Sequence, residues 1–531
     1  MSGLTKITSL SRETIHYQAY FLGLCLLAMA MPTSRYMISV AQLLLGVNWI
    51  AEGNLKEKFR IYLNHKPALW FSLIFFIHLI GLLWTQDLID GITGEIKTIL
   101  PVFGLTLIIA TSRSLPLHKI RVVLLLFSLS VFVTTLIGLY IYITDSYTDP
   151  RKIAPFVSHL YLSMMVLMAM LLLPWLSFQM TKKRLWRILS FMVVAWLLVF
   201  LFILSALTGI ICLAGLIVYF LIKIILSGYP KIYRVLSGLF LFGSIMAGAG
   251  MLLYLTHHVT LEKPIPYDEL SATTAAGNTY THHLDSDLRE NGHLVYIFLA
   301  EGELKEAWNQ RSNLDFDGQD HQGNQLRGTL YRYMTSKGLR KDREGLMELC
   351  RKDIAAIEAG TPNYQYTQWP VFIVRTHQTI WELHQYRQTG NPTGHTFTQR
   401  LELWHASLIA FQEHPMFGWG TGDIYIAIHY GLEQIDSPMD NYHMKPHNQY
   451  LLFLLTFGIL GSLATYASYI LFVKSSGVVR LLPFKGFLII LLLAMVGNNP
   501  IEAQVGQTFF TFFSLVFALM YINQSEKASG A

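Results

Sequence analysis

The chain has 531 residues, of which 53% are hydrophobic and only 14% charged, with a formal net charge of +6. A composition this apolar over this length excludes a soluble globular protein and leaves room for many membrane spans. Three cysteines, with Cys25 and Cys212 inside apolar runs and Cys350 in a polar region, supply neither a disulfide framework nor a Cys/His metal spacing.

In chain order, apolar windows predict twelve spans, at about 16–32, 35–51, 67–84, 95–111, 120–143, 156–178, 186–204, 206–226, 233–255, 448–473, 484–497 and 505–522. The eleventh is short. The first run lacks a cleavage-site pattern, so it reads as a retained span. With both termini cytoplasmic, one set of connections gathers Lys56, Lys58, Arg60 and Lys66, then Arg113, Lys119 and Arg121, then Lys182, Lys183, Arg184 and Arg187, then Lys223, Lys231 and Arg234, then Lys474, Arg480 and Lys485. The short loops on the other side hold Arg35, Arg151 and Lys152 against Asp87, Asp90, Asp145, Asp149 and Glu502. The positive-inside rule therefore places the termini in the cytoplasm and the long segment after the ninth span outside. The positive charge anchors the chain at the membrane; it is no nucleic-acid patch.

The sequence thus reads as an all-α polytopic membrane protein in three parts: spans one to nine over 1–255, a mostly helical external domain over 256–447, and spans ten to twelve over 448–531. The external part holds fourteen of the nineteen histidines, and its acidic residues outnumber its lysines and arginines. Within it, 293–299 reads as a short strand, and 301–311, 325–336, 342–359 and 371–387 read as helices between Gly, Pro and Asn breakers. A last helix near 398–413 sets Leu401, Trp404, Leu408 and Phe411 on one face, which suits either a membrane interface or the domain's own core.

Several constellations invite chemistry. GWGTGD (Gly418 to Asp423) follows a helix and Pro415 rather than a strand, and so reads as a tight turn in preference to a phosphate cradle. His282, His283, Asp285 and Asp287 sit in a polar stretch that reads as a solvated loop. His443 and His447 are four apart, but Pro446 between them disfavours a shared helical face, so no metal is expected there. Pro446 suits the first turn of the tenth span, which puts His447 among its unpaired amides. There the positive helix end and Lys445 oppose protonation and attract anions. An interfacial histidine bonded to a neighbouring loop is the plainer alternative.

The arrangement Arg400-Leu-Glu-Leu-Trp404, then His414-Pro415 through Gly422, then His447-Asn448-Gln-Tyr-Leu451 and Thr456-Phe-Gly458-Ile-Leu-Gly461 resembles the signature region of the bacterial O-antigen ligase and polymerase superfamily. Trp308-Asn-Gln-Arg311-Ser312 and Glu502-Ala-Gln504-Val-Gly506 resemble its branch with an enlarged external domain. The resemblance implies a glycosyltransferase in the bacterial cytoplasmic (inner) membrane with a periplasmic loop. It would move a saccharide from undecaprenyl diphosphate to a hydroxyl acceptor, the lipid A core for a ligase. A repeat-unit polymerase and a protein O-oligosaccharyltransferase are the alternatives within that chemistry. By the same resemblance His447 is the base, Arg400 holds the diphosphate with Lys445 as helper, Asn448 orients the imidazole or a sugar, and no metal or other cofactor is required. Many members carry an arginine where this chain has Leu207, so Arg311 or Arg375 would supply the missing cation. His159 and Tyr161, at the outer start of the sixth span, could line a lipid-glycan channel or serve as interface anchors. A transporter or flippase is a remoter reading, because ionisable residues crowd the rim rather than the midplane.

Overall fold

In lipid every backbone N–H must find its acceptor within its own segment, so long uncharged apolar runs fold as helices. The computed structural model describes residues 12–144, 150–264, 270–439 and 443–529. Helices α1 (Arg12–Thr33), α2 (Arg35–Glu52), α3 (Leu55–Asn64) and α4 (Lys66–Gly81) lead to α5 (Leu88–Asp90), which passes through a π-helical turn at Gly91–Ile96 into α6 (Lys97–Thr111). Then follow α7 (Leu117–Thr144), α8 (His159–Met180), α9 (Arg184–Leu204), α10 (Leu207–Leu226) and α11 (Lys231–Thr260). Shorter elements come next: β1 (Arg289–Glu290), β2 (His293–Leu294), α12 (Glu301–Asn309), α13 (Leu326–Ser336), α14 (Arg343–Met347), α15 (Arg351–Glu358) and α16 (Val371–Thr389). The chain ends with α17 (Thr396–Glu413), α18 (Ile424–Gln434), α19 (Gln449–Ser476), α20 (Leu482–Gly497) and α21 (Gln504–Ser529).

The protein is an all-α polytopic membrane protein. Among the described residues ten helical stretches are long and apolar enough to cross a membrane, against the twelve expected. The two that fall short have physical reasons. The 18 residues of α2 include Arg35, Gln42, Asn48 and Glu52. The 16 residues of α20 rise only about 24 Å, less than the ~30 Å hydrocarbon core. Asp145 and Asp149, which entered the charge count of the loops, lie outside the described residues.

The chain divides into two compact units, Met1–Thr144, Pro150–Phe220 and Gln399–Ala531 forming one, and Asp145–Asp149 and Leu221–Thr398 the other. In the first, α4, α19 and α21 meet at Phe71, whose ring lies 4.8 Å from that of Phe472 and 5.3 Å from that of Phe510. Phe487 of α20 packs on Phe509 and Phe513 of α21. Such offset and tilted ring pairs let large apolar side chains fill a core without voids.

The second unit has its own core, centred on Leu304, Trp308, Phe316, Leu330, Met334 and Leu346. The strand expected over 293–299 shrinks to the two residues of β2, paired antiparallel to β1, while Leu299 makes isolated bridges to Thr281 and Lys341. The helix expected over 342–359 is two helices. Asp342 caps α14, and a second start at Cys350, whose N–H donates to the Asp353 carboxylate at 2.8 Å, opens α15. A new cap within a helical pattern ends one helix and begins the next. His282 is no solvated-loop residue. Its Nδ1 accepts from the Phe298 N–H at 3.1 Å, which leaves the proton on Nε2 to donate to the Ser271 carbonyl at 3.1 Å.

Candidate functional site

The turn before α19 is built from three directions. On α17 the buried face is Leu403, Ala406 and Ala410, packed against Trp419, Ala427, Ile428 and Leu455. This differs from the expected stripe, in which Leu408 is exposed and Trp404 is half-buried, because Trp404 has a polar task. Its indole N–H donates to the Pro446 carbonyl at 2.8 Å and pins the turn. One turn earlier on α17, Arg400 reaches the end of α20: a methyl placed on Gly497 would lie 4.0 Å from its Nη1.

His447 is not in the first turn of α19. It sits at φ 50°, in the left-handed region, and the helix begins at Gln449 with Asn448 as its cap. The Asn448 side-chain oxygen accepts from the N–H groups of Tyr450 at 3.0 Å and Leu451 at 3.1 Å. That oxygen is therefore engaged by the helix start. Trp404 holds the residue before His447, and the residue after it, Asn448, is fixed as the cap of α19, so the half-buried imidazole is presented from a fixed, strained turn. Burial first, and then the Arg400 guanidinium, lower the His447 pKa, since both penalise the imidazolium. The neutral ring is the form this site favours, and Arg400 is the cation whose charge acts on it.

Lys445 points elsewhere. Its ammonium forms an ion pair with Glu95, on the π-helical turn before α6, and lies 3.6 Å from a carboxylate oxygen of Glu502 on the Pro500–Glu502 turn. Burial opposes its charge, but Glu502 and Glu95 outweigh that and raise its pKa. For Glu502 burial likewise disfavours the anion, while the hydrogen bond it shares with Glu95 and the charge of Lys445 hold its pKa below the usual carboxylate value. Gln449 closes the cluster. Its amide donates to Glu502 at 3.3 Å and accepts from the Ile501 N–H at 3.0 Å, and its backbone N–H donates to the Asn498 carbonyl at 3.1 Å. Tyr425 stands beside Lys445, with His443 stacked on its ring at 4.4 Å and an interplanar angle of 3°.

The glycine-rich segment is a backbone clasp rather than a cradle. α19 breaks at Gly458 (φ 61°, ψ −165°), which frees two of its amides and two of its carbonyls. The N–H groups of Ile459 and Leu460 donate to the carbonyls of Pro415 (2.8 Å) and Met416 (3.2 Å), and the N–H groups of Trp419 and Gly420 donate to those of Leu455 (2.9 Å) and Thr456 (3.0 Å). A Cβ at Gly418 would lie 2.4 Å from the Thr456 backbone, and one at Gly458 would lie 2.4 Å from the Met416 backbone, so both positions require glycine. Asp423 ends the segment by accepting from the N–H groups of Gln86 and Asp87, each at 2.8 Å.

The remaining predicted residues separate. Tyr161 packs against the same corner as Glu502: a methyl on Gly506 would meet its ring at 2.8 Å and the Pro500 carbonyl at 2.3 Å. His159 is the first residue of α8 and half-buried. Arg311 and Arg375 belong to the second unit. Arg311 is occupied there, donating to the carbonyls of Leu346 and Leu349 at the end of α14, and Arg375 donates to Gln378 at 3.3 Å. Sequence reasoning missed Glu95, whose signal was an acidic residue at the lip of an otherwise apolar span. Among the described residues no group of three or more His, Cys, Asp or Glu side chains is placed to hold a metal ion. Residues 369–466 match a family model described as O-Antigen ligase. No curated protein matches the chain.

Proposed function

The chain carries the O-antigen ligase domain over residues 369–466, which supports membership of the O-antigen ligase and polymerase superfamily, and from that premise we propose how its enzymatic site works. It is a glycosyltransferase of that type in a multi-pass membrane protein. The donor in this reading is a glycan on undecaprenyl diphosphate, and the acceptor is a hydroxyl of the lipid A core. The acceptor oxygen attacks the anomeric carbon, the bond from that carbon to the diphosphate oxygen breaks, and the hydroxyl proton passes to the neutral imidazole of His447. The departing undecaprenyl diphosphate carries the electron pair and is neutralised by Arg400, whose planar guanidinium suits phosphate oxygens without a metal. Asn448 acts by capping α19 and so fixing the His447 turn. Lys445 does the same through Glu95 and Glu502.

The observation that supports this reading is the half-buried His447 ring held at a capped turn within electrostatic reach of Arg400 on α17, burial and the guanidinium both favouring its base form. The orientation that goes with it has cytoplasmic termini and a periplasmic external domain in the inner membrane, and rests on the distribution of lysine and arginine among the connections.

The test is mass spectrometry of the product formed when purified protein meets undecaprenyl-diphosphate glycan together with lipid A core, single repeat units or a protein acceptor. Transfer to the core is expected, and His447→Ala should reduce it by ~10² to 10⁴ while leaving folded protein in the membrane. Transfer to repeat units or to protein would reassign the acceptor. Near-normal transfer by the variant would remove His447 from the chemistry.

A further inference from the structure

The end of the helical bundle away from the His447 turn carries a second constellation. α8 begins at His159, near the Tyr161 and Gly506 corner, and its 22 residues rise about 33 Å to Met180. Beside that far end lies a cavity of about 500 Å³ between α7, α8 and α9, lined by Leu125, Leu129, Leu176, Trp186, Leu189 and Val193 among others. The volume is that of a small-molecule site and the lining is almost wholly apolar. Ser190 also lines it, and although its side chain is buried its hydroxyl has no hydrogen-bond partner among the described residues.

The rim of this cavity is basic. Lys182, Lys183 and Arg184 follow the lining residue Thr181 directly and are exposed. Arg121, one turn before Leu125, holds Gln179 with two guanidinium nitrogens, at 3.3 and 3.2 Å, and Arg187 donates to the Thr181 carbonyl at 3.4 Å. The Nε of Arg121 and that of Arg187 are both buried without an acceptor among the described residues. An apolar slot, a polar hydroxyl about 9 Å below the start of α9, and a ring of cations above match the order of parts in one molecule: acyl chain, ester oxygen, phosphate.

We propose that this cavity is a binding site for an anionic phospholipid, with an acyl chain between α7 and α9, an ester oxygen accepting from Ser190, and the headgroup phosphate on the Lys182 to Arg187 rim. No bond is made or broken there; the lipid fills a slot that the protein leaves open and neutralises the positive charge of its rim.

The experiment is native mass spectrometry of the delipidated full-length protein, titrated with phosphatidylglycerol or phosphatidylcholine of identical acyl chains. Phosphatidylglycerol should be retained at least tenfold better. Lys182→Gln with Lys183→Gln should reduce that preference roughly tenfold, because each cation near a phosphate surface contributes appreciably to anionic lipid binding. Leu189→Trp, which fills the slot from an exposed position, should abolish retention of phosphatidylglycerol with the rim charge intact. Leu129→Trp, on the opposite wall, repeats the test should the first variant melt early. Equal retention of the two lipids, unchanged retention in either tryptophan variant, or displacement of the bound lipid by water-soluble glycerol phosphate would each overturn the proposal.

Discussion

His447 takes a backbone conformation that costs a non-glycine residue ~1 to 2 kcal/mol, and the turn keeps it there through Trp404 and Asn448. Its pKa lies below the ordinary histidine value of about 6.5, so a mechanism using the neutral ring keeps full activity at neutral pH and loses it only as pH falls through that lowered value. The acidic limb of kcat/KM should therefore lie below about pH 6.5. Arg400→Gln removes the positive neighbour and should move that limb upward while lowering turnover; a limb that stays in place would mean that some other group titrates. Arg400→Lys keeps the charge but loses the planar fork, and should cost roughly 10- to 100-fold in transfer. At this scale the sequence could be read only for local order: Arg400, His447 and Asn448 lie on short stretches whose order is the pattern behind the proposed site. It was illegible where partners meet across the fold. Nothing near Lys445 announces Glu95, 350 positions away, and so its charge read as free for a diphosphate.

Among the elements, α19 and the segment before α18 exchange backbone hydrogen bonds in both directions across the break at Gly458. Gly458→Ala or Gly418→Ala must place a methyl on a backbone atom and adopt a positive φ, so each should destabilise the folded protein by well over ~1 kcal/mol, read as a lower melting temperature in detergent. Lys445→Met tests the second clasp. It leaves Glu95 and Glu502 facing one another without their cation and should cost on the order of 3 kcal/mol of stability. A variant with unchanged melting and a raised donor KM would instead return Lys445 to the diphosphate. Helix existence was readable from apolar runs, and helix ends were not. The break at Cys350 and the late start of α19 are set by capping side chains, Asp353 and Asn448, which compete locally with the periodicity around them.

For the molecule as a whole, the apolar spans and the uneven distribution of lysine and arginine carried the class, because the bilayer imposes both; α2 and α20 escaped the count by polarity and by length. Orientation has a built-in probe. Of the three cysteines only Cys350 is exposed, and it lies in the second unit. A membrane-impermeant maleimide should label it in intact spheroplasts without permeabilisation; labelling that needs lysis would invert the topology. The two-way exchange at Gly458 also bears on how substrates come and go. A segment whose amides are consumed by a membrane span cannot swing aside without unzipping that span, so the 415–423 stretch makes a poor door. In the proposed function, donor and product would then pass by routes that leave it still, with the turn that presents His447 as a fixed anvil against which the lipid-borne sugar is brought.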